Sequence, residues 1–236
     1  MTYTIENIDS FEYMKTIPDN SIDLIVTDPP YDLMLGNGGT IKEKFNTIIN
    51  DLPKDNLVDG YDIVKFNKEF VRIMKGINIY IWCNKLQIPD YFNFYVNELG
   101  CKFEIICWHK SNAIPAFHNK YLSDTEYCLY FHKGAYLNPA SYEEALTYYF
   151  APINLKDKKK FKHPTIKPID VIRRLIRNSS KEGDTIFDPF MGSGTTGVGC
   201  VEENRNFIGC EINTEYFNIA KERIEHTVKK VNSKLF

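Results

Sequence analysis

Short apolar runs alternate with segments of helical periodicity along most of this chain, and that alternation limits its fold more than any other feature. Six runs have the length of a β-strand: Ile22–Thr27, Ile77–Cys83, Phe103–Trp108, Glu126–Phe131, Thr185–Asp188 and Asn206–Cys210. Five segments carry apolar residues at helical spacing: Tyr61–Lys75, Gln87–Leu99, Ile169–Ser180, Thr195–Glu203 and Thr214–Val231. Strands that are apolar throughout are typical of a parallel sheet covered on both faces. The pattern therefore predicts an α/β chain with a doubly wound, mainly parallel sheet.

The length and composition fit one soluble domain. The chain has 236 residues, of which 43% are hydrophobic and 25% are charged, the balance of an ordinary globular protein. Its first residues do not resemble a signal peptide, and no apolar stretch approaches the roughly 20 residues that span a bilayer. We therefore expect a cytoplasmic protein with no membrane partner. The six cysteines lie mostly in apolar runs without metal-binding spacing, so neither a disulfide nor a metal site is expected.

The first of the six apolar runs leads directly into the motif Asp28-Pro29-Pro30-Tyr31. In open α/β sheets, ligands bind outside the carboxyl ends of the strands, which is where this motif falls. The prolines remove two backbone donors, so the motif presents two acceptors, the Asp28 carboxylate and the Pro29 carbonyl. Two acceptors can hold the two N–H groups of an exocyclic amine, and a base can stack on Tyr31. A proline turn capped by Asp28 is the alternative.

A glycine-rich turn within Thr185–Gly197 connects a later strand to a helix. Glycines let the backbone approach a ligand closely. Glu211 follows the next strand, 23 residues after Asp188, where an acid can accept hydrogen bonds from ribose hydroxyls. A dinucleotide or phosphate-loop site is disfavoured, because Asp188 would repel a phosphate and no Gly-Lys-Ser/Thr follows the glycines. Asp188 can instead hold an ammonium group, so the turn favours S-adenosylmethionine, which carries an ammonium and a ribose but no phosphate.

Together the two motifs resemble those of the DNA amino-methyltransferases, specifically the β class, in which the catalytic motif precedes the cofactor motif. Here Asp28 precedes Asp188 by 160 residues. The resemblance covers almost the whole chain, because further segments match family motifs in order: Ile8-Asp9, Trp108–Asn112, Thr125–Tyr127 and His163–Pro168.

The resemblance implies a single methyltransferase domain over residues 1–236, with a seven-stranded Rossmann-like sheet that has one antiparallel strand and a circularly permuted motif order. Residues 1–133 would form the catalytic half, residues 134–162 a short target-recognition insertion, and residues 163–236 the cofactor half. The resemblance also implies a target base flipped out of DNA, whose amino nitrogen attacks the sulfonium methyl directly. Asp rather than Ser at position 28 is associated in this family mainly with adenine, so adenine N6 is expected ahead of cytosine N4.

The motifs and the resemblance assign roles to individual residues. The expected catalytic residues are Asp28, Pro29, Pro30 and Tyr31. The expected S-adenosylmethionine-binding residues are Asp9, Thr165, Lys167, Asp188, Pro189, Phe190, Gly192, Ser193, Gly194, Thr195 and Glu211. The expected DNA contacts are Trp108, Lys110, Lys158, Lys159 and Lys160, the last three in a lysine-rich stretch suited to phosphates. For Trp108 a core position, and for Lys167 a solvated position at a helix start, are equally weighted alternatives.

DNA is the expected partner, and the family implies two further ones, a second copy of the chain and a cognate restriction endonuclease. The alternatives to an adenine-N6 enzyme are a cytosine-N4 enzyme, an amino-methyltransferase of RNA or protein, and a catalytically silent DNA-binding subunit. RNA and protein enzymes more often carry Asn at position 28 and place the cofactor motif first. A silent subunit has no physical need to keep Asp28, Tyr31, Asp188 and Glu211 together. An oxidoreductase ranks last because of the glycine pattern.

Overall fold

The strands and helices follow the predicted alternation in a computed structural model that describes residues 1–30, 61–115, 119, 121–153, 155, 159, 161 and 166–233. The strands are β1 (Tyr3–Glu6), β2 (Leu24–Thr27), β3 (Ile77–Cys83), β4 (Lys102–Lys110), β5 (Thr125–Lys133), β6 (Tyr148–Ala151), β7 (Thr185–Asp188) and β8 (Asn206–Cys210). The helices are α1 (Ser10–Met14), α2 (Ile63–Ile73), α3 (Ile88–Phe92), α4 (Tyr142–Ala145), α5 (Ile169–Ser179), α6 (Thr195–Glu202) and α7 (Thr214–Asn232). A π-helical segment, Asn93–Glu98, continues α3.

The strands form one sheet in the order β1-β8-β7-β2-β3-β5-β4-β6. β5 runs antiparallel to both of its neighbours, and every other pair of adjacent strands is parallel. The mainly parallel α/β sheet with one antiparallel strand is therefore confirmed. The described part of the sheet has eight strands rather than the expected seven. The additional strand is β6 at the edge, which pairs with the end of β4 and lies in the 134–162 segment.

Each face of the sheet has its own apolar core, which explains why the central strands are apolar throughout. On β2, Leu24 and Val26 contribute to the core that α5, α6 and α7 cover, whereas Ile25 contributes to the core beneath α1, α2 and α3. All four β2 residues are buried as a result. A strand covered on both faces cannot show the alternation of a half-exposed strand.

A buried polar network ties α5 to the sheet. Asn78 donates to the carbonyl oxygens of Ser179 and Asp23, at 2.8 and 2.9 Å, and accepts from the hydroxyl of Tyr130 at 3.1 Å. The Ser179 hydroxyl hydrogen-bonds the hydroxyls of Tyr80 and Tyr130, at 2.7 and 3.2 Å. Because these groups satisfy one another, they specify how α5 packs against β3 and β5.

The structure adds short elements that the sequence pattern did not predict, namely β1, α1, α4 and β6. The observed bounds of β3, β7 and β8 coincide with the predicted ones. Within the described ranges, no helix is both long and apolar enough to cross a membrane.

Candidate active site

Four neighbouring parallel strands bring the predicted acids to one edge of the sheet. Asp9 lies shortly after β1, Glu211 follows β8, Asp188 ends β7 and Asp28 follows β2. These strands are consecutive in the sheet and parallel, so their carboxyl ends meet. The sheet order therefore brings acids that are far apart in the chain to the edge where open α/β sheets bind ligands.

The turn between β7 and α6 depends on two glycines. Gly192 has a φ of 50° and Gly194 a φ of 79°, in the left-handed region that side-chain-bearing residues rarely adopt. A Cβ atom on Gly194 would lie 2.8 Å from the Cβ of Ala220 in α7. The turn can pass this close to α7 only with a glycine at position 194.

Asp188 is a buried carboxyl group, only 4% exposed. Its Oδ1 accepts from the backbone N–H of Phe190 at 3.1 Å, and its Oδ2 accepts from the hydroxyl of Thr196 at 2.6 Å. Burial raises the pKa of Asp188 to about 7; the two hydrogen bonds oppose this rise, and the charges of Asp28 and Glu211 add to it. A cationic group placed against Asp188 would favour its ionised form.

Glu211 closes the glycine-rich turn against the end of β8. Its Oε2 accepts from the backbone N–H of Gly192 at 3.0 Å, and its Oε1 accepts from that of Asn213 at 2.9 Å. Burial raises the pKa of Glu211 above its usual value, although the backbone N–H groups act in the opposite direction. The carboxylate is therefore held in a fixed orientation beside the turn.

The segment after β1 lies next to Glu211. The side-chain amide of Asn7 donates to the carbonyl oxygens of Glu211 and Ile212, at 2.7 and 3.1 Å. Asp9 caps α1 by accepting from a backbone N–H of its first turn at 3.0 Å. Ile8 and Ile212 leave 39% and 50% of their surface exposed beside these acids. This part of the edge combines carboxylates with apolar surface, which suits a ring that carries polar groups.

The hydroxyls of Ser193 and Thr195, two of the residues expected at the cofactor, contact α7. Arg223 donates to the carbonyl and hydroxyl oxygens of Ser193 at 2.5 and 2.8 Å, and to the Thr195 hydroxyl at 3.3 Å. Its guanidinium also stacks over the ring of Phe161, 4.4 Å from the centroid. Ser193 and Thr195 are 3% and 8% exposed, so their side chains anchor the turn to α7.

The two residues that follow Asp188 pack into the sheet edge. Pro189 is buried, and its carbonyl oxygen accepts from the thiol of Cys210 at 3.3 Å. The ring of Phe190 lies 5.6 Å from that of Tyr61 and 5.5 Å from that of Phe66. These contacts hold the start of the turn against α2 and β8.

Asp28 belongs to a row of four side chains with alternating charges, in the order Asp28, Lys167, Glu126 and Lys110. The Nζ of Lys167 lies 2.5 Å from Oδ2 of Asp28 and 3.2 Å from Oε2 of Glu126, and the Nζ of Lys110 lies 2.8 Å from Oε1 of Glu126. The Lys167 ammonium also lies over the ring of Trp82, 5.1 Å from the centroid. β5 is antiparallel, so its first residues, including Glu126, lie at the edge where the parallel strands end. We expected Lys167 to contact the cofactor, and the structure places its ammonium between the carboxylates of Asp28 and Glu126.

The charges in this row of side chains stabilise one another. Burial acts to lower the pKa of Lys167, but Asp28 and Glu126 raise it above its usual value. Burial acts to raise the pKa of Glu126, but Lys167 and Lys110 lower it below its usual value. Lys167 and Glu126 are therefore held in their charged forms although Lys167 is only 6% exposed.

The expected DNA contacts occupy different environments. Trp108 is 2% exposed and donates from its ring N–H to the carbonyl oxygen of Ala151 at 2.9 Å, so it is a core residue that joins β4 to β6. Lys110 is paired with Glu126, and Lys159 is exposed. The remaining expected site residues lie outside the described part of the chain: Tyr31, Thr165, Lys158 and Lys160.

The side chains at this edge fit S-adenosylmethionine better than a phosphate-bearing nucleotide. Asp188 and Glu211 offer acceptors for an ammonium group and for ribose hydroxyls, and Ile8 and Ile212 offer apolar surface for the adenine ring. Carboxylates that face a ligand repel phosphates, and a buried carboxylate is stabilised by a nearby cation. The site can therefore hold a cationic cofactor beside the acceptors that follow β2.

Two residues of this site were given no individual role from the sequence. Glu126 is a charged residue at the start of an otherwise apolar strand, and Arg223 falls between Ala220 and Ile224 on the buried side of α7. In both cases the signal was a charged residue on an apolar face, where charges need partners.

Comparisons with known proteins agree with this geometry. A model of a family described as DNA methylase, which covers N6 and N4 enzymes, matches residues 22–222. Type II methyltransferase M2.DpnII of Streptococcus pneumoniae is 30% identical over 247 residues, spanning 92% of this chain and 87% of that protein. The crystal structure of an M1.HpyAVI–SAM complex matches with a TM-score of 0.69 at 28% identity, covering 94% of this chain and 100% of that chain. PvuII DNA methyltransferase, described as cytosine-N4-specific, matches in fold with a TM-score of 0.70 at 16% identity, covering 99% of this chain and 92% of that chain.

Proposed function

The chain belongs to the N6/N4 family of S-adenosylmethionine-dependent DNA methylases, and within that family we propose that it methylates N6 of adenine at a specific DNA site. The observation that carries the proposal is the position of Asp28, an acidic acceptor after β2 and beside the strand that leads into the glycine-rich turn. In this family an aspartate at that position is associated mainly with adenine.

The catalytic motif acts by holding the target amine. The Asp28 carboxylate and the Pro29 carbonyl accept its two N–H groups, which turns the nitrogen lone pair out of conjugation with the base. Pro29 is buried and Pro30 is half-buried, so the backbone of the motif is rigid. Tyr31 provides a ring on which the base stacks. Positioning and electrostatics, without a covalent enzyme intermediate, then account for the rate.

The cofactor side is assigned to the turn and its flanking strand ends. When bound, S-adenosylmethionine supplies an electrophilic methyl group. Asp188 holds its ammonium group, Glu211 its ribose hydroxyls and Asp9 its adenine. The other residues assigned to cofactor binding are those of the turn and one residue before α5. They are Pro189, Phe190, Gly192, Ser193, Gly194, Thr195 and Thr165.

DNA is held by the segment between the two halves of the domain. A base must leave the duplex to reach Asp28, and lysines beside the opening can contact the phosphates. Lys159 is exposed and is assigned this role with Lys158 and Lys160, and residues 134–162 are assigned target recognition. A second copy of the chain and a cognate restriction endonuclease are proposed partners, which gel filtration and a cleavage-protection assay would test.

The proposal is tested by modification-sensitive sequencing of plasmid DNA from cells that express the chain. We expect methylated adenine within one short sequence, and its loss in Asp28→Ala, which removes the side-chain acceptor. Asp90 is an exposed acid on α3, and Asp90→Ala is the matched control that should retain the mark. Methylation of cytosine at N4 would show that the target base is cytosine and not adenine. The absence of any methylated base, from a chain that binds S-adenosylmethionine, would refute the proposed activity.

A further inference from the structure

The row of alternating charges that includes Asp28 contains three groups that the proposed mechanism does not use. Lys167 lies between the carboxylates of Asp28 and Glu126, and Lys110 lies on the far side of Glu126. The four side chains come from the end of β2, the start of β5, the entry to α5 and the end of β4. The signs of the charges alternate along this row of contacts, so the four formal charges sum to zero.

Lys167 affects what Asp28 can do for a substrate. An ammonium 2.5 Å from Oδ2 of Asp28 attracts the charge of that carboxylate, and the attraction is strong because Lys167 is 6% exposed. A carboxylate that is fully neutralised by a cation is a weaker acceptor for a neutral amine. The carboxylate of Glu126 interacts with the same ammonium at 3.2 Å. Its negative charge therefore partly offsets the effect of the Lys167 charge on Asp28.

We infer that Glu126 is a positioning residue for methyl transfer, acting on Asp28 through Lys167. Glu126 divides the Lys167 ammonium between two carboxylates, which fixes the orientation of Asp28 and preserves its strength as an acceptor. Lys110 in turn holds Glu126 in place, 2.8 Å from its Oε1. This inference rests on the proposed role of Asp28 as the acceptor for the target amine.

A purely structural role for the pair is the competing explanation. Replacing a buried ion pair by apolar groups is often neutral for stability, whereas removing one partner leaves an unpaired charge. A structural role therefore predicts that loss of Glu126 lowers stability while the folded enzyme keeps its rate. The two explanations separate when the rate is expressed per cofactor-binding site.

The kinetic test is a double-mutant cycle in single-turnover assays with radiolabelled S-adenosylmethionine and unmethylated DNA. Glu126→Gln should lower the rate per cofactor site about 10- to 100-fold, and the cofactor Kd should change less than about twofold. In the Lys167→Met background, Glu126→Gln should change the rate less than about twofold, because Glu126 acts only through Lys167. Glu104 is an exposed acid of β4, and Glu104→Gln serves as the matched control with an unchanged rate. A rate within twofold of wild type for Glu126→Gln, or an equal loss in both backgrounds, overturns the inference.

A spectroscopic test does not depend on activity and so separates this inference from the proposed function. The carboxylate stretching band of Asp28 is isolated as an infrared difference between each protein and its Asp28→Asn counterpart. The band should shift in Glu126→Gln and stay in place in Glu104→Gln. An unshifted band refutes the inference even if the chain methylates DNA. If the wild-type chain transfers no methyl group, the proposed function fails, and a shifted band still supports the action of Glu126 on Asp28.

Discussion

Binding of S-adenosylmethionine should release a proton from Asp188 near neutral pH. Burial raises the pKa of Asp188 to about 7, and Asp28 and Glu211 add negative charge nearby. The proposed contact places an ammonium group against this carboxyl, which favours the ionised form and lowers its pKa. Two buried thiols also lie close to Asp188, but burial raises the pKa of Cys200 and Cys210 far above neutrality, so they stay protonated.

The size of the effect follows from the pKa of Asp188 in the free protein. With a pKa of about 7, about nine tenths of the molecules carry the neutral carboxyl at pH 6 and about a quarter carry it at pH 7.5. Only the ionised fraction is ready to bind, and this fraction rises with pH because the group is an acid. The apparent Kd for the cofactor should therefore fall about eightfold between pH 6 and pH 7.5.

Isothermal titration calorimetry at pH 6, in two buffers that differ in ionisation enthalpy, measures the released proton directly. We expect about 0.9 protons per bound cofactor for the wild-type chain. Asp188→Asn should bind more weakly and release almost none. Glu211→Gln is the matched control, because it weakens binding but leaves the titrating group at position 188. Release below about 0.3 protons from the wild-type chain, or unchanged release from Asp188→Asn, would refute the reasoning.

Three further predictions concern packing in the core and at the site. Asn78→Leu removes three side-chain hydrogen bonds from the buried network and should lower the free energy of unfolding by about 3 kcal/mol in a denaturant titration; a loss below about 1 kcal/mol would contradict this. Gly194 and Gly183 both have positive φ, but only at Gly194 would a Cβ atom meet a neighbour within 4 Å. Gly183→Ala should therefore destabilise the fold by about 1 kcal/mol and Gly194→Ala by more than about 2 kcal/mol, and equal losses would disprove the contact argument. Arg223→Met should raise the cofactor Kd about tenfold by releasing the turn, whereas Lys221→Met, on the exposed side of α7, should leave the calorimetric Kd unchanged.

The parts of the fold that depend on local chemistry were predictable from the sequence. β7, the glycine-rich turn and α6 follow from an apolar run, glycines and helical spacing in direct succession. The location of Asp28 and Asp188 at the same edge of the sheet also follows, because parallel strands end at one edge. These features need no knowledge of which distant side chains touch.

The edge strands and the side-chain partners were not predictable in the same way. β1 and β6 have four residues each and alternate between exposed and partly buried positions, so they exist through pairing with β8 and β4. Lys167 was expected at the cofactor, but its partner Asp28 is 139 residues away in the chain. Arg223 likewise reaches the turn from α7 and lies 30 residues after Ser193 in the chain. Such contacts depend on the packed sheet, and no local pattern identifies the partner of either residue.

The pairing of β1 with β8 has a consequence for the order in which the protein is made. β1 lies beside β8 from Tyr3↔Phe207 to Glu6↔Cys210, so β1 is synthesised 204 residues before the strand with which it pairs. Such long-range pairing is slow to form. A nascent chain therefore carries the motif at Asp28 long before it can retain a methyl donor. A product released before residue 206 would lack β8 and Glu211. We expect such a product to be inert towards DNA, because the cofactor site is incomplete without them. The topology therefore makes activity depend on synthesis of the cofactor half.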